Sequence, residues 1–432
     1  MQCGRRRPTG RGARIPAAII VTLAPAAVRE PAALRTTHDA PSAFPRQDAA
    51  EDTHLMNYRE RIYAAIRGLP VDHLPWAPRW ELFYNAAVLD GRLPERYQGW
   101  SFFDVTRDLG MGIKGNRGTL FKLVMEGVES RVRNEGIDEI TEYDTPYGTV
   151  RTVLRLPQEL QEEGVRGLEV EYLIKGADDY DAVYYLLDHT KVVPAFEEWE
   201  AYERSIGNDG LGYPQAGPCP MHKVQREYTG YQQSYLELAD NLPKVERLVE
   251  MLQVQFDAIA DICAASPALA VEADGNYDIS LHPPAFFDQW FLKPLQRFAD
   301  KMHAAGKVFL SHVDGQTEGL LERIVDARID IAEAWSPYPQ TTITTADALK
   351  VWRGKVGIWG GLPTPVLRES YPPDQFEEHF CQFLREIAPG TKIVIGTGDN
   401  FPTDSSWDRV RQATRLVEQY GKYPVDPSAL PR

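Results

Sequence analysis

Residues 308–335 read VFLSHVDGQTEGLLERIVDARIDIAEAW, and this stretch decides the fold. Val308–Ser311 is a short apolar run ending in His312-Val313-Asp314-Gly315, Glu318–Asp326 has helical spacing, and Ile329–Ala334 is again a short apolar run. Strand, helix and strand at this length spell a parallel βα unit, because a crossover helix is what brings the second strand beside the first in the same direction. The rhythm extends both ways. Strands are expected at Leu269–Ala273, Val356–Trp359 and Lys392–Ile395, with helices at Leu242–Ala264, Phe286–Ala304, Thr345–Trp352 and Pro373–Ile387. Five such strands, with room for three more between residues 74 and 220, predict an α/β chain folded as a (β/α)8 TIM barrel. An open doubly wound sheet is the alternative, and no GxGxxG or GxxxxGK[ST] loop follows any strand to favour it.

The N-terminal half of this domain is less regular. Tyr58–Gly68 (YRERIYAAIRG) places Ile62, Ala65 and Ile66 on one helical face, and Leu74–Trp80 is extended. Between Phe121 and Leu156, β-rich runs are separated by Asn134-Glu135-Gly136 and Pro146-Tyr147-Gly148, which predicts an antiparallel insertion of about three strands at 121–156. Val183–His189 and Ala195–Arg204 are expected as helices, and Leu211–Pro214 as extended. Residues 56–427 are read as one domain.

Charge divides the chain. The whole carries 47 Lys+Arg against 62 Asp+Glu, a net of −15. Residues 1–55 hold eight Arg against five acids, a net of +3, which leaves −18 on the remainder. So acidic a body repels a phosphate backbone, and no apolar run approaches the ~18 residues of a spanning helix, so neither nucleic acid nor membrane is expected as a partner. The Ala/Pro/Arg-rich leader is expected to be disordered. Arg5–Arg7 ahead of Ile15–Val28 imitates an export signal; the other reading is a start assigned too far upstream, with Met56 as the natural one. Cysteines at 3, 219, 263 and 381 form no CxxC pair, so a reducing cytoplasm is the expected location.

In a barrel of this kind the site lies at the carboxyl ends of the strands. Strand by strand, those ends carry Glu272 and Asp274-Gly275-Asn276; His312-Val313-Asp314; Glu333 and Trp335; Gly360-Gly361; and Thr397-Gly398-Asp399-Asn400. His312 and Asp314 are two apart, so a continuing strand sends both to one side, where an imidazole and a carboxylate can converge on one cation. Candidate metal ligands are therefore His312, Asp314, Glu272 and Asp399, and candidate catalytic groups His312, Asp314, Glu333 and Asp399. Candidate substrate contacts are Arg79, Trp80, Asp274, Asn276, His222, Trp335 and Asn400. The competing structural reading is a ring of carboxylates satisfied by Arg, Lys and backbone amides, with Glu333 an inward-facing paired residue. Cys219 is read as a small buried residue.

Several segments together resemble the uroporphyrinogen decarboxylase superfamily, which includes the decarboxylase and barrel methyltransferases that feed corrinoid proteins. They are Arg59-Glu60-Arg61-Ile62-Tyr63-Ala64-Ala65-Ile66-Arg67-Gly68 with Pro70-Val71-Asp72-His73-Leu74-Pro75, then His312-Val313-Asp314-Gly315, Ile358-Trp359-Gly360-Gly361, and Gly396-Thr397-Gly398-Asp399-Asn400-Phe401-Pro402. The likeness spans about residues 57–424, weakest in the β-rich insertion. It implies a TIM barrel enzyme acting on a small molecule. The decarboxylase's Arg-rich loop is reduced here to Pro78-Arg79-Trp80-Glu81-Leu82, its Ser-Asp-Ile aspartate is absent, and Thr397 replaces its late-loop His. A substrate with many carboxylates needs several cations, so decarboxylation of a porphyrinogen is the alternative and not the leading reading.

The superfamily's zinc methyltransferases bind the metal through His-x-Cys and a later Cys. Here His312 is kept, Asp314 stands at the first Cys, and Thr397 is near the second, with Asp399 two residues on. Harder donors leave zinc, or a similar divalent metal, a stronger Lewis acid suited to an oxygen-bearing substrate such as a methoxy compound. The resemblance therefore implies methyl transfer to a corrinoid carried by a partner protein, with a non-catalytic binding subunit as a further alternative. A homodimer is expected.

Overall fold

The computed structural model describes residues 19–21, 55–158 and 167–431. The reading of residues 1–55 as a leader falls outside these except at Leu55 and at Ile19–Val21, a strand antiparallel to Phe121–Met125 with Ile20 opposite Val124.

The fold is α/β. Five strands lie parallel and side by side in chain order: Ala270–Gly275, Val308–His312, Ile331–Trp335, Gly357–Leu362 and Ile393–Thr397. Nearly every residue of these strands is buried, as expected where helices cover the outer face of a parallel sheet. The register sets His312 beside Glu333 and Glu333 beside Trp359. Hydrogen bonds continue past both edges. Ile395 donates to Pro75 O and Ala77 to Ile395 O, at 2.8 and 2.9 Å, and Gly112 donates to Trp76 O at 2.8 Å. Ile113–Gly115 pairs in parallel with Gly210–Gly212, and Glu272 and Pro214 are joined through Glu272 N to Pro214 O at 2.9 Å.

Helices between the strands bury one face each. Pro373–Ile387 buries Phe376, Phe380, Phe383, Leu384 and Ile387, spaced 4, 3, 1 and 3 apart as one side of a helix requires. Each such side chain contributes roughly 1.5–3 kcal/mol by leaving water. Thr345–Trp352 starts where Thr344 Oγ1 accepts from Asp347 N at 3.1 Å, and Tyr58–Ile66 starts at an Asn57/Glu60 capping box.

The antiparallel insertion is larger than the sequence suggests. The run FKLVMEGVESRVR breaks at Gly127, whose φ of 73° turns the chain between two sheets. Phe121–Met125 pairs with Thr190–Pro194, whereas Glu129–Glu135, Asp138–Thr145, Gly148–Arg155 and Leu168–Glu171 form a separate four-stranded sheet. Val150 of that sheet packs with Met125, Val128, Ala182 and Leu186.

Candidate active site

Two irregularities shape the carboxyl ends of the strands. The register slips between Glu272 and Gly275 and again between Glu333 and Trp335, and at each slip a non-glycine residue adopts positive φ: 59° at Asp274 and 54° at Ala334. Bulges of this kind re-aim side chains beside active sites.

Glu333 is the hub. It has no exposed surface, its Oε1 accepts from the Tyr213 hydroxyl at 3.2 Å, and it is paired with Lys114 Nζ and with His312 Nδ1. His312 Nε2 faces Asp314 Oδ2 at 3.4 Å, and Asn276 Nδ2 donates to both Asp314 oxygens at 3.1 and 3.2 Å. Glu272 reaches the same centre: Oε1 accepts from Gln215 Nε2 at 3.4 Å, while Oε2 is buried with no partner. Ligand atoms of Glu272, His312 and Glu333 all lie within 4.8 Å of one another.

The charges follow from this packing. Burial opposes ionisation of Glu333, but the Lys114 ammonium and the His312 imidazolium outweigh it and hold the carboxyl well below the usual range. Burial opposes protonation of His312, and Glu333 and Asp314 outweigh it, so the imidazole stays protonated well above its ordinary range. For Glu272, burial and repulsion from Glu333 act together and push the carboxyl up to about 7.

The other residues singled out in the sequence divide into two groups. Asp274 does not join the Glu272 centre; its Oδ1 is paired with His222 Nδ1, and His222 Nε2 meets the Tyr231 hydroxyl at 2.9 Å. Burial would raise the Asp274 carboxyl, but the His222 ring outweighs burial and lowers it. Asp399 also stands apart from the metal-capable group, ion-paired to Arg79 Nη1 at 2.8 Å and 43% exposed. Asn400 is half-buried in the same loop, which Phe401 N anchors to Arg79 O at 2.9 Å.

Two expected substrate contacts are buried, Trp335 away from the Glu333 centre and Trp80 at the edge of a cleft that Arg79 and Lys114 also line. Alternation would put Trp335 on the Glu333 side, but the bulge at Ala334 turns it outward. It is fully buried, with its ring 4.9 Å from that of Trp352 and its indole N–H donating to Thr345 Oγ1 at 3.4 Å. Trp80 is 1% exposed, packed on Phe102 and Trp407, and donates to Thr106 Oγ1 at 3.2 Å. The metal-capable set changes as well. Glu333 enters it, while Asp314 becomes the carboxylate on the far nitrogen of His312, a position that orients a ligating imidazole.

Lys114 and Tyr213 were not anticipated. Lys114 is the one charge in Ile113–Gly115, and a lone cation inside a short buried strand is the signal that marks it.

Five parallel strands that bring ionisable side chains together at their carboxyl ends define an α/β fold with a candidate site at that rim. Within that class, residues 229–420 match the family described as "Uroporphyrinogen decarboxylase (URO-D)". Among solved structures, a methyltransferase from Methanosarcina mazei aligns with a TM-score of 0.52 at 13% identity, over 84% of this chain and 99% of that one. The family match covers under half of the chain, and at 13% identity the structural likeness speaks to the fold alone. Dispersin B aligns at a TM-score of 0.27 and 10% identity over 54% of this chain and 74% of that one, and carries no argument. No curated protein matches in sequence. Among the described residues, no helix is long and apolar enough to cross a membrane.

Proposed function

We propose that the parallel segments close into an eight-stranded (β/α)8 barrel and that the chain is a metal-dependent methyltransferase. It moves a methyl group from a small, oxygen-bearing substrate to a corrinoid on a partner protein. The observation that carries this reading is the Glu272, His312 and Glu333 group, with Glu272 Oε2 buried and unpartnered. A buried carboxylate oxygen without a partner is costly unless it holds a proton or a cation.

The residues present fit a divalent ion such as zinc. Glu272, Glu333 and the Nδ1 of His312 would hold it, and Asp314 would fix the imidazole through Nε2. Such an ion supplies Lewis-acid polarisation of the substrate oxygen. With a proton on Glu272 and another on His312, the charges of Glu333, Lys114, His312 and Asp314 already cancel. A divalent cation that displaces those two protons leaves the same balance. Lys114, buried against Glu333, keeps that carboxylate anionic in either state. The leaving oxygen would take its proton from solvent, since with the ion bound Glu272 and His312 carry none to give.

Lys114 also favours a second reading. A buried lysine beside a carboxylate dyad, with one carboxyl neutral near pH 7, can run acid/base chemistry such as decarboxylation without an ion. Elemental analysis separates the two. The first reading expects about one zinc or similar ion per chain, lost in His312→Ala, and methyl transfer to cobalt(I) corrinoid from methoxylated aromatics. Absence of metal and of zinc uptake, with consumption of uroporphyrinogen or another carboxylate, would establish the second.

A further inference from the structure

A second buried network lies beside the Glu333 centre, built from residues that the centre does not use. Asp274 Oδ1 is paired with His222 Nδ1, both side chains are 0% exposed, and His222 Nε2 meets the Tyr231 hydroxyl at 2.9 Å. The backbone explains how His222 and Tyr231, well apart along the chain, come to face each other. Val224–Tyr228 is a π-helical turn closed by Thr229 N donating to Val224 O at 3.0 Å, and Gly230 follows with a φ of 76°. A Cβ at Gly230 would meet the Tyr172 ring at 2.7 Å, so glycine is required for this reversal. Turns of the π type gather at functional sites.

The network needs one positive charge. Gly275 N donates to Asp274 Oδ1 at 2.9 Å, while Oδ2 is buried without a partner, and among the described residues the one ion-pair partner of Asp274 is His222. A buried carboxylate is costly unless a cation compensates it. Other neighbours do not serve. His282, its ring centroid 5.0 Å from that of His222, is pushed down to about 4 by burial and then by His222, and its Nε2 meets Gln225 Oε1 at 3.1 Å. Burial and Asp274 hold the Cys219 thiol protonated, and Lys223 is paired with Glu227.

Tyr231 connects this network to the site. Burial, joined by Asp274 and Asp314 and opposed by Arg226, pushes its hydroxyl up to about 12, so it keeps its proton at neutral pH. Asp314 is the carboxylate on His312, and Asn276, two residues after Asp274, donates to both of its oxygens. A hydroxyl under the charge of both carboxylates stands between the two networks, and Tyr231 is half-buried where His222 and Asp274 are sealed.

We propose that Asp274, His222 and Tyr231 form a proton relay for this site, with Tyr231 the donor to the substrate and His222, doubly protonated and held by Asp274, the group that refills it. The Tyr231 O–H bond breaks as the new bond to the substrate atom forms. The Nε2 proton of His222 then restores the hydroxyl, and the neutral imidazole keeps its Nδ1 proton on Asp274. Solvent returns one proton to His222 through Tyr231 once product has left. The proposal rests on the Glu333 centre as the place of chemistry and gives the route by which a proton from solvent arrives there. Methyl transfer from oxygen and decarboxylation both end by protonating the substrate.

The first measurement needs no substrate. It is proton–nitrogen NMR of the purified full chain with isotope-labelled histidine, nine residues in all, with His222 assigned by its loss in His222→Asn. Near neutral pH the His222 ring should carry a proton on each nitrogen, and Tyr231→Phe should move the Nε2 signal. An Nε2 without a proton would overturn the proposal. Should His222→Asn fail to fold, the ring that responds to Tyr231→Phe is His222, and if no ring responds the proposal falls. The second measurement is methyl transfer to cobalt(I) corrinoid from anisole and from para-nitroanisole, whose phenolate leaves without a proton. Tyr231→Phe should slow anisole at least about 100-fold, the worth of a general acid, and leave the nitro compound nearly unaffected. A structural role would slow both alike, and equal losses would also overturn the proposal. If the parent protein consumes neither probe, the methyl-transfer reading falls and the nitrogen spectra alone decide the relay.

Discussion

Lys114 and Glu333 form an ion pair from which water is almost wholly excluded, with side-chain exposures of 2% and 0%. The ammonium also stands 5.8 Å from the Trp359 ring centroid, and the carboxylate takes two further partners, Tyr213 and His312. Lys114 and His312 together keep the Glu333 carboxyl ionised although it is buried.

Removing one member of such a pair leaves a buried charge uncompensated. Lys114→Met should therefore cost about 3–5 kcal/mol of stability in the metal-free protein. The double variant Lys114→Met/Glu333→Gln should recover much of that loss, which a thermodynamic cycle by urea denaturation measures. Additive losses would mean that the two side chains do not depend on each other.

Cation binding should compete with protons. Glu272 is pushed up to about 7 and His312 well above its ordinary range, so below neutrality both hold protons that a metal must displace. Apparent zinc affinity should rise with pH through 7, with release of roughly one to two protons per ion. Calorimetry in two buffers of different ionisation enthalpy reads that number. Affinity independent of pH between 6 and 8, taken as about one unit on either side of neutrality, would contradict the assignment.

The same carboxyl makes stability depend on pH with a definite sign. A group whose folded pKa is raised binds its proton more tightly in the native state, so its contribution is present below the ordinary carboxyl range and is lost as pH climbs to about 7. Glu272→Gln should remove this slope and stabilise the metal-free protein at alkaline pH by an amount on the order of 3 kcal/mol. Denaturation midpoints of the two proteins on either side of neutrality check it; parallel curves would mean that Glu272 ionises freely.

Trp335 offers a test of side-chain direction. As a core residue packed on Trp352 it should cost about 3–5 kcal/mol when truncated to Ala, and the folded fraction should bind substrate with unchanged affinity. A variant of normal stability and weakened substrate binding would return the indole to the site.

Much of this was legible from strand ends alone. His312, Glu333 and Glu272 each lie at or near the end of an apolar run, and neighbouring parallel strands bring such positions together. Ion pairs across the sequence were not legible. Nothing in Ile113-Lys114-Gly115 announces that its lysine meets Glu333, a residue 219 positions later. Nor did alternation survive at Ala334, where positive φ reverses the direction of the next side chain and makes Trp335 a core residue.

By itself the sequence determined the strand and helix rhythm, the acidity of the chain and the choice of residues at the carboxyl ends, because each depends on local period or on composition. Tertiary structure alone decided which carboxylates share a centre and which are neutralised by Lys114 or Arg79. Those outcomes depend on burial and on distances between segments far apart in sequence, and both the Coulomb and desolvation energies that set them exist only once the segments are packed.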